Sequence, residues 1–285
     1  MKISVIDKIN LYLRTCIHIS GNIIKVYSWM PFFYLAGLQF LGLLILTSFS
    51  LPGWNSIIKP LLSSIMPKVS FHFPQYLLIV PRLFSDYDNY ILGPTAYIIL
   101  SAAAVFVLGG LYANERWPLR EGIGRAFRSY FKLLIVWALE LLLVYLVFQV
   151  VSLLFADLVY GSPKRIMALR TALQFAAFIP SAFLIYAIPA IMLDKQPLFK
   201  AICSSVELCG HNFFLTYFII FIPGLLRLIF DIIIKDFGMR IVNTMNADLI
   251  VIIMIIKIIA GIFINLFILG GATYVYKAIG SNNRM

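Results

Sequence analysis

The stretch DLIVIIMIIKIIAGIFINLFILGGATYVY, residues 248–276, decides the fold. Past Asp248 it carries one charged residue, Lys257. It exceeds the roughly 20 apolar residues that cross a bilayer as a helix. A helix that is apolar all round has no place on a water-facing surface. Five further windows read the same way: 28–50, 91–113, 130–157, 170–193 and 213–234. Over 285 residues, 62% are hydrophobic and 12% are charged, about half the roughly 25% charged share of a soluble domain. The expectation is an all-α, polytopic transmembrane bundle of six spans, forming one membrane domain over 1–285.

The formal charge is +11. Its basic residues flank the spans, where they answer to anionic headgroups and to topology. Placing both termini on the cytoplasmic side gathers Arg116, Arg120, Arg125, Arg128 and Lys132 inside, which favours that orientation. Membrane lipids are therefore the expected partners, together with other membrane proteins. Nucleic acid is not, because no basic segment is long enough to form a module. Cys16, Cys203 and Cys209 show neither CxxC nor metal spacing, and reduced thiols are expected. The first long apolar stretch begins near Tyr27, too late for a signal peptide.

The connections are informative. Loop 51–90 is punctuated by Pro52, Pro60, Pro67, Pro74 and Pro81. Its apolar run from Trp54 to Met66 reads either as a short outer interfacial helix or as a packed cap over the bundle. On the other side, segment 119–131 places Leu119, Ile123, Phe127, Tyr130 and Phe131 opposite Glu121, Arg125, Arg128 and Lys132. Segment 198–211 sets Leu198, Ile202, Val206 and Cys209 against Lys200, Ser204, Glu207 and His211. Segment 5–19 sets Val5, Ile9, Tyr12, Leu13 and Cys16 against Asp7, Arg14 and His18. Each reads as an amphipathic helix in the membrane interface. Arg120, Arg125 and Arg128 are the candidate ligands for lipid headgroups. Trp117-Pro118-Leu119 opens one such helix as Gln196-Pro197-Leu198 opens another, and Gly-Asn breaks follow two of them. The order of amphipathic helix and two spans therefore suggests a threefold repeat over 1–113, 114–193 and 194–276.

Ionisable residues inside spans are the functional candidates, since each costs about 2.5–3.5 kcal/mol at the bilayer centre. Glu140 falls near mid-depth of the third span among Ala138, Leu139, Leu141 and Leu142. It must be protonated, paired across helices or facing water, which leaves a proton or cation site and a structural pair both open. Arg227 and Asp231 are four apart on the fifth span and suit an internal salt bridge. Lys257 can snorkel outward, or pair with Asp231 or Glu140. Gln39, Gln149, Gln174 and Asn265 suit interhelical hydrogen bonds. Pro31, Pro94, Pro180, Pro189 and Pro223 fall within spans and can kink them. Gly109-Gly110 and Gly270-Gly271 allow close helix approach. No HExxH, GxSxG or P-loop is present. No catalytic residue, cofactor or metal site is expected, and the chain reads as a non-enzyme.

One stretch carries a resemblance. Residues Ile179 to Leu226 read IPSAFLIYAIPAIMLDKQPLFKAICSSVELCGHNFFLTYFIIFIPGLL. With Pro180 and Pro189, the Asp194-Lys195 turn and Ser204-Ser205 in a helix closed by Asn212, it resembles the YciC family of bacterial inner-membrane proteins. It is more loosely similar to the membrane domain of some glycerophosphodiester phosphodiesterases. The first two-thirds of the chain match in layout only. The resemblance implies a six-span protein of the plasma (bacterial inner) membrane, without assigned activity and without catalytic residues to carry over. Two functions follow as expectations: envelope or lipid organisation, including service as a subunit of a membrane assembly, and a transporter of a small or lipidic substrate.

Overall fold

The computed structural model describes residues 5–23, 25–48, 56, 60, 75–155, 162–244 and 248–280. Among them every element is helical. In chain order they are α1 (Val5–Ile23), α2 (Met30–Thr47), α3 (Val80–Asp86), a π-helical stretch Tyr87–Tyr97, α4 (Ile98–Tyr112), α5 (Leu119–Arg128) and α6 (Tyr130–Leu154). Then follow α7 (Pro163–Ala176), α8 (Phe178–Leu184), α9 (Ala187–Met192), α10 (Leu198–His211), α11 (Phe213–Thr244) and α12 (Leu249–Gly280). Among the described residues six helices are long and apolar enough to cross a membrane: Tyr27–Thr47, Tyr76–Tyr112, Tyr130–Leu154, Thr171–Met192, Phe213–Ile234 and Leu249–Ile279.

Five spans fall where their apolar windows lie. The second starts at Tyr76, well before 91. Its first turns hold Arg82, Asp86 and Asp88, whose charges hide the helix from an apolar window. Pro81 sits in the first turn of α3, where a missing N–H costs nothing. Loop 51–90 is thus shorter than the sequence suggests. The run 54–66, read as either an interfacial helix or a packed cap, falls almost wholly outside the described residues.

The fourth span is interrupted. Pro180 and Pro189 lack an N–H, and the helix opens at Ile185–Tyr186, between α8 and α9. A bilayer offers no water to such a break, so another part of the protein must satisfy it. Ser205 of α10 does so. Its hydroxyl donates to the Phe183 carbonyl at 2.6 Å and accepts from the Tyr186 N–H at 3.1 Å. Ser205 and Tyr186 are both fully buried. The Tyr186 hydroxyl lies 2.8 Å from Thr216 Oγ1, tying the break to α11 as well.

One local pattern occurs twice. A span ends in a left-handed residue, Asn114 (φ 59°) or Lys195 (φ 53°). After Asn114 the turn is a Schellman motif, with Glu115 N–H donating to Gly110 O at 2.9 Å and Asn114 N–H to Leu111 O at 3.1 Å. Gly110 is needed there, because a Cβ would lie 2.7 Å from Trp117 Cγ as the chain folds back. After Lys195, Gln196 N–H donates to Ala190 O at 3.1 Å. An extended proline, Pro118 or Pro197, then starts the next helix, α5 or α10. Helices α5 and α10 seat through small residues four apart. On α5 these are Gly122 and Ala126, and a Cβ on Gly122 would stand 3.2 Å from the Ala103 carbonyl of α4. On α10 they are Ala201, Ser205 and Cys209. Cys209 therefore belongs to this buried row, apart from the exposed Val206 with which sequence spacing groups it.

Two compact units emerge. Unit one holds Met1–Pro31, Ile98–Gly224 and Asn265–Met285; unit two holds Phe32–Tyr97 and Leu225–Ile264. All three helices that precede spans, α1, α5 and α10, lie in unit one. There α1 turns Thr15 towards Gly271 and Ile19 towards Gly270 of α12, which confirms the close approach read from that glycine pair. Tyr27 links its own segment to α5, donating to Trp117 O at 2.7 Å and accepting from Leu119 N–H at 2.6 Å.

Ser205→Ala leaves a buried donor and a buried acceptor without partners, a loss of roughly 1–3 kcal/mol. Ser204→Ala removes a half-buried bond at 3.3 Å to Gln196 and changes stability far less. Thermal unfolding of both variants in detergent checks the contrast; equal melting temperatures would contradict it.

Candidate functional site

Three sets of polar groups carry chemistry, one of them across unit two and two within unit one. On α6 only Leu133 and Val136 are buried. Glu140 continues that face at the next helical turns and is half-buried. Its Oε1 accepts a hydrogen bond from the Ser181 hydroxyl of α8 at 2.6 Å. Ser181 follows Pro180, so the partner comes from the broken span. Among the described residues no cation pairs with Glu140. Sequence spacing offers it no neighbour, since Ser181 lies 41 residues away.

The second set fills unit two. Gln39 lies in the row of α2 that buries Phe32, Leu35, Ala36 and Leu43. Asp88 stands one turn from Phe84 and from Leu92, both buried. Lys257 lies beside the buried Met254 and Ile258 of α12. The Gln39 amide donates to Asp88 Oδ1 at 2.8 Å. Asp88 Oδ2 lies 3.9 Å from Arg227 Nη2. Lys257 Nζ donates to Asp231 Oδ1 at 2.6 Å.

This corrects the expected Arg227–Asp231 bridge. Both lie on α11 four residues apart, yet each pairs with another helix. An exposed pair along one helix is worth only about 0.3–0.5 kcal/mol, whereas pairing between helices also holds the bundle together. Lys257 takes Asp231, one of its expected alternatives, and Gln39 makes the interhelical bond expected of it. Glu140 belongs to unit one, whereas Arg227, Asp231 and Lys257 belong to unit two. Asp88 is the member that sequence reasoning misses, because it reads as part of a loop; the spacing Phe84, Asp88, Leu92 is the signal that could have found it.

The third set is the basic face of α5. Arg125 is engaged within the protein. Its Nη2 lies 2.7 Å from Glu121 Oε1, and its guanidinium sits 4.5 Å from the Phe106 ring centroid. Arg120 and Arg128 are exposed and make no ion pair among the described residues. Phe127 and Phe131 beside them are 61% and 78% exposed.

No family model, curated protein or solved structure matches this chain. The geometry alone then decides what each set can do. Among the described residues no group of His, Cys, Asp and Glu could hold a metal ion. The unit-two network balances Asp88 and Asp231 against Arg227 and Lys257. The α5 helix presents cations and aromatic rings together, and among the described residues two of the cations make no ion pair.

Lys257→Met or Asp231→Leu alone leaves a charge without its partner within a span and costs roughly 1–3 kcal/mol, below the 3–5 of a fully buried pair. The double variant is expected to be more stable than either single one. A double-mutant cycle by thermal unfolding checks this; simple additivity of the two losses would contradict it.

Proposed function

We propose that this chain is a non-enzymatic, multi-pass membrane protein that binds anionic lipid headgroups through α5 and so organises lipid at one face of the membrane. The observation that carries the reading is that Arg120 and Arg128 are exposed and make no ion pair among the described residues, on a segment that also exposes the rings of Phe127 and Phe131. On an interfacial helix Phe side chains bury at the boundary of headgroups and acyl chains, and each nearby Lys or Arg adds about 1 kcal/mol of attraction to an anionic leaflet. Helix α10 repeats the combination, with Phe199 81% exposed next to the exposed Lys200. Both helices serve as interfacial helices whose third, small-residue face docks on the bundle. The basic side is the cytoplasmic one, both termini lie there, and the membrane is the bacterial inner membrane that the YciC resemblance implies. Service as a lipid-binding subunit of a larger membrane assembly fits the same surface.

A second reading, a permease, draws on one observation. Glu140 meets Ser181 at a broken span, and transporters build their sites at broken helices. Single cysteines at Val136 and Val144 in a cysteine-free background test it. Labelling by a membrane-impermeant thiol reagent from either side means that water reaches Glu140; absence of labelling, with loop controls reacting, rules the permease out.

For the lipid reading, Arg120→Gln/Arg128→Gln is expected to lower retention of phosphatidylglycerol relative to phosphatidylcholine about thirtyfold, at roughly 1 kcal/mol for each of the two lost cations. Arg125→Gln lowers it little, because Arg125 is held by Glu121 and Phe106. Native mass spectrometry of the purified protein measures both. Selectivity should also fall as salt rises. Unchanged selectivity in the double variant overturns the reading.

A further inference from the structure

The cations of unit two are satisfied unequally. Lys257 and Asp231 hold one another at 2.6 Å, with 22% and 29% of their side chains exposed. Arg227 has one ion pair among the described residues, to Asp88 at 3.9 Å, and 52% of its side chain is exposed. That distance is about 1 Å beyond a charge-assisted hydrogen bond. The other oxygen of Asp88 accepts from the Gln39 amide at 2.8 Å.

A guanidinium cannot shed its charge, and it carries five N–H donors in a flat fork. Within a span such a group needs an anion or water. Arg227 sits about 10 Å along the helix axis from Ile234, where the fifth span ends. A long side chain can reach the headgroup level from there. The fork matches an oxyanion with two oxygens, and phosphate above all.

We propose that Arg227 is the recognition group of an oxyanion site in unit two, which takes the phosphate of an anionic amphiphile or of a free phosphate ion. Asp88 is its built-in competitor: it faces the same guanidinium and repels the incoming anion. Gln39 holds Asp88 aside and keeps the fork open. The Lys257–Asp231 pair is neutral as a unit and leaves the recognition to Arg227. This site is separate from the basic face of α5 and stands or falls independently of it.

The test uses the full chain in a nonionic detergent, in an Arg120→Gln/Arg128→Gln background that removes the two exposed cations of α5. Inorganic phosphate and dihexanoyl phosphatidate are titrated separately by isothermal calorimetry. At least one probe is expected to bind. Arg227→Gln is expected to weaken that binding about tenfold or more, the loss of a charge-assisted hydrogen bond. Arg227→Lys keeps part of it, Arg82→Gln, on an exposed residue of α3 in the same unit, leaves it unchanged, and Asp88→Asn tightens it. The tightening separates a binding site from a structural ion pair, for which loss of Asp88 can only harm. Binding of phosphatidate alone assigns the site to lipid; binding of inorganic phosphate as well assigns it to a free anion. Failure of both probes to bind, an unchanged affinity in Arg227→Gln, or weaker binding in Asp88→Asn overturns the proposal.

Discussion

A polar group inside a bilayer must be satisfied by the protein or by something that comes to it. That constraint organises this molecule. Where Pro180 and Pro189 interrupt the fourth span, the loose backbone at Phe183 and Tyr186 is met by one hydroxyl, that of Ser205. The hydroxyl is delivered by a helix outside the spans, so α10 cannot leave its seat without exposing the break. The row Ala201, Ser205 and Cys209 makes the seat, because larger side chains would hold α10 too far away for a 2.6 Å bond.

The same constraint sorts the charges. Lys257 and Asp231 satisfy each other, Gln39 serves Asp88, and Ser181 serves Glu140. Arg125 has a carboxylate and an aromatic ring. Arg120, Arg128 and Arg227 are left with the least. The proposed functions rest on these three residues, two without an ion pair among the described residues and one with a single long pair to Asp88. Phosphate is the chemistry the two proposals share, at α5 in the first and at Arg227 in the second.

Much of the fold is legible in the sequence, because membrane helices announce themselves by length and apolarity. The six spans and the proline starts of α5 and α10 follow from windows and local signals. The start of the second span does not. Asp86 and Asp88 lower its apolar character, and only the buried positions of Phe84 and Leu92 show that the helix carries Asp88 inward. The site is less legible. Glu140, Arg227, Asp231 and Lys257 stand out by type, but their partners are set by packing between helices. Spacing on one helix suggests Arg227 with Asp231; the bundle pairs them with Asp88 and Lys257. Likewise the apolar and basic sides of α5 can be read from its residues. That Arg125 is spent on Phe106, a residue of α4, cannot.

The most direct measurement is an experimental density map of the protein in nanodiscs that contain phosphatidylglycerol. The account predicts headgroup phosphate density about 2.7–2.9 Å from the guanidinium nitrogens of Arg120 or Arg128, with Arg125 still on Glu121. Arg120 and Arg128 both turned onto acidic side chains of the protein, with no phosphate beside them, would contradict it.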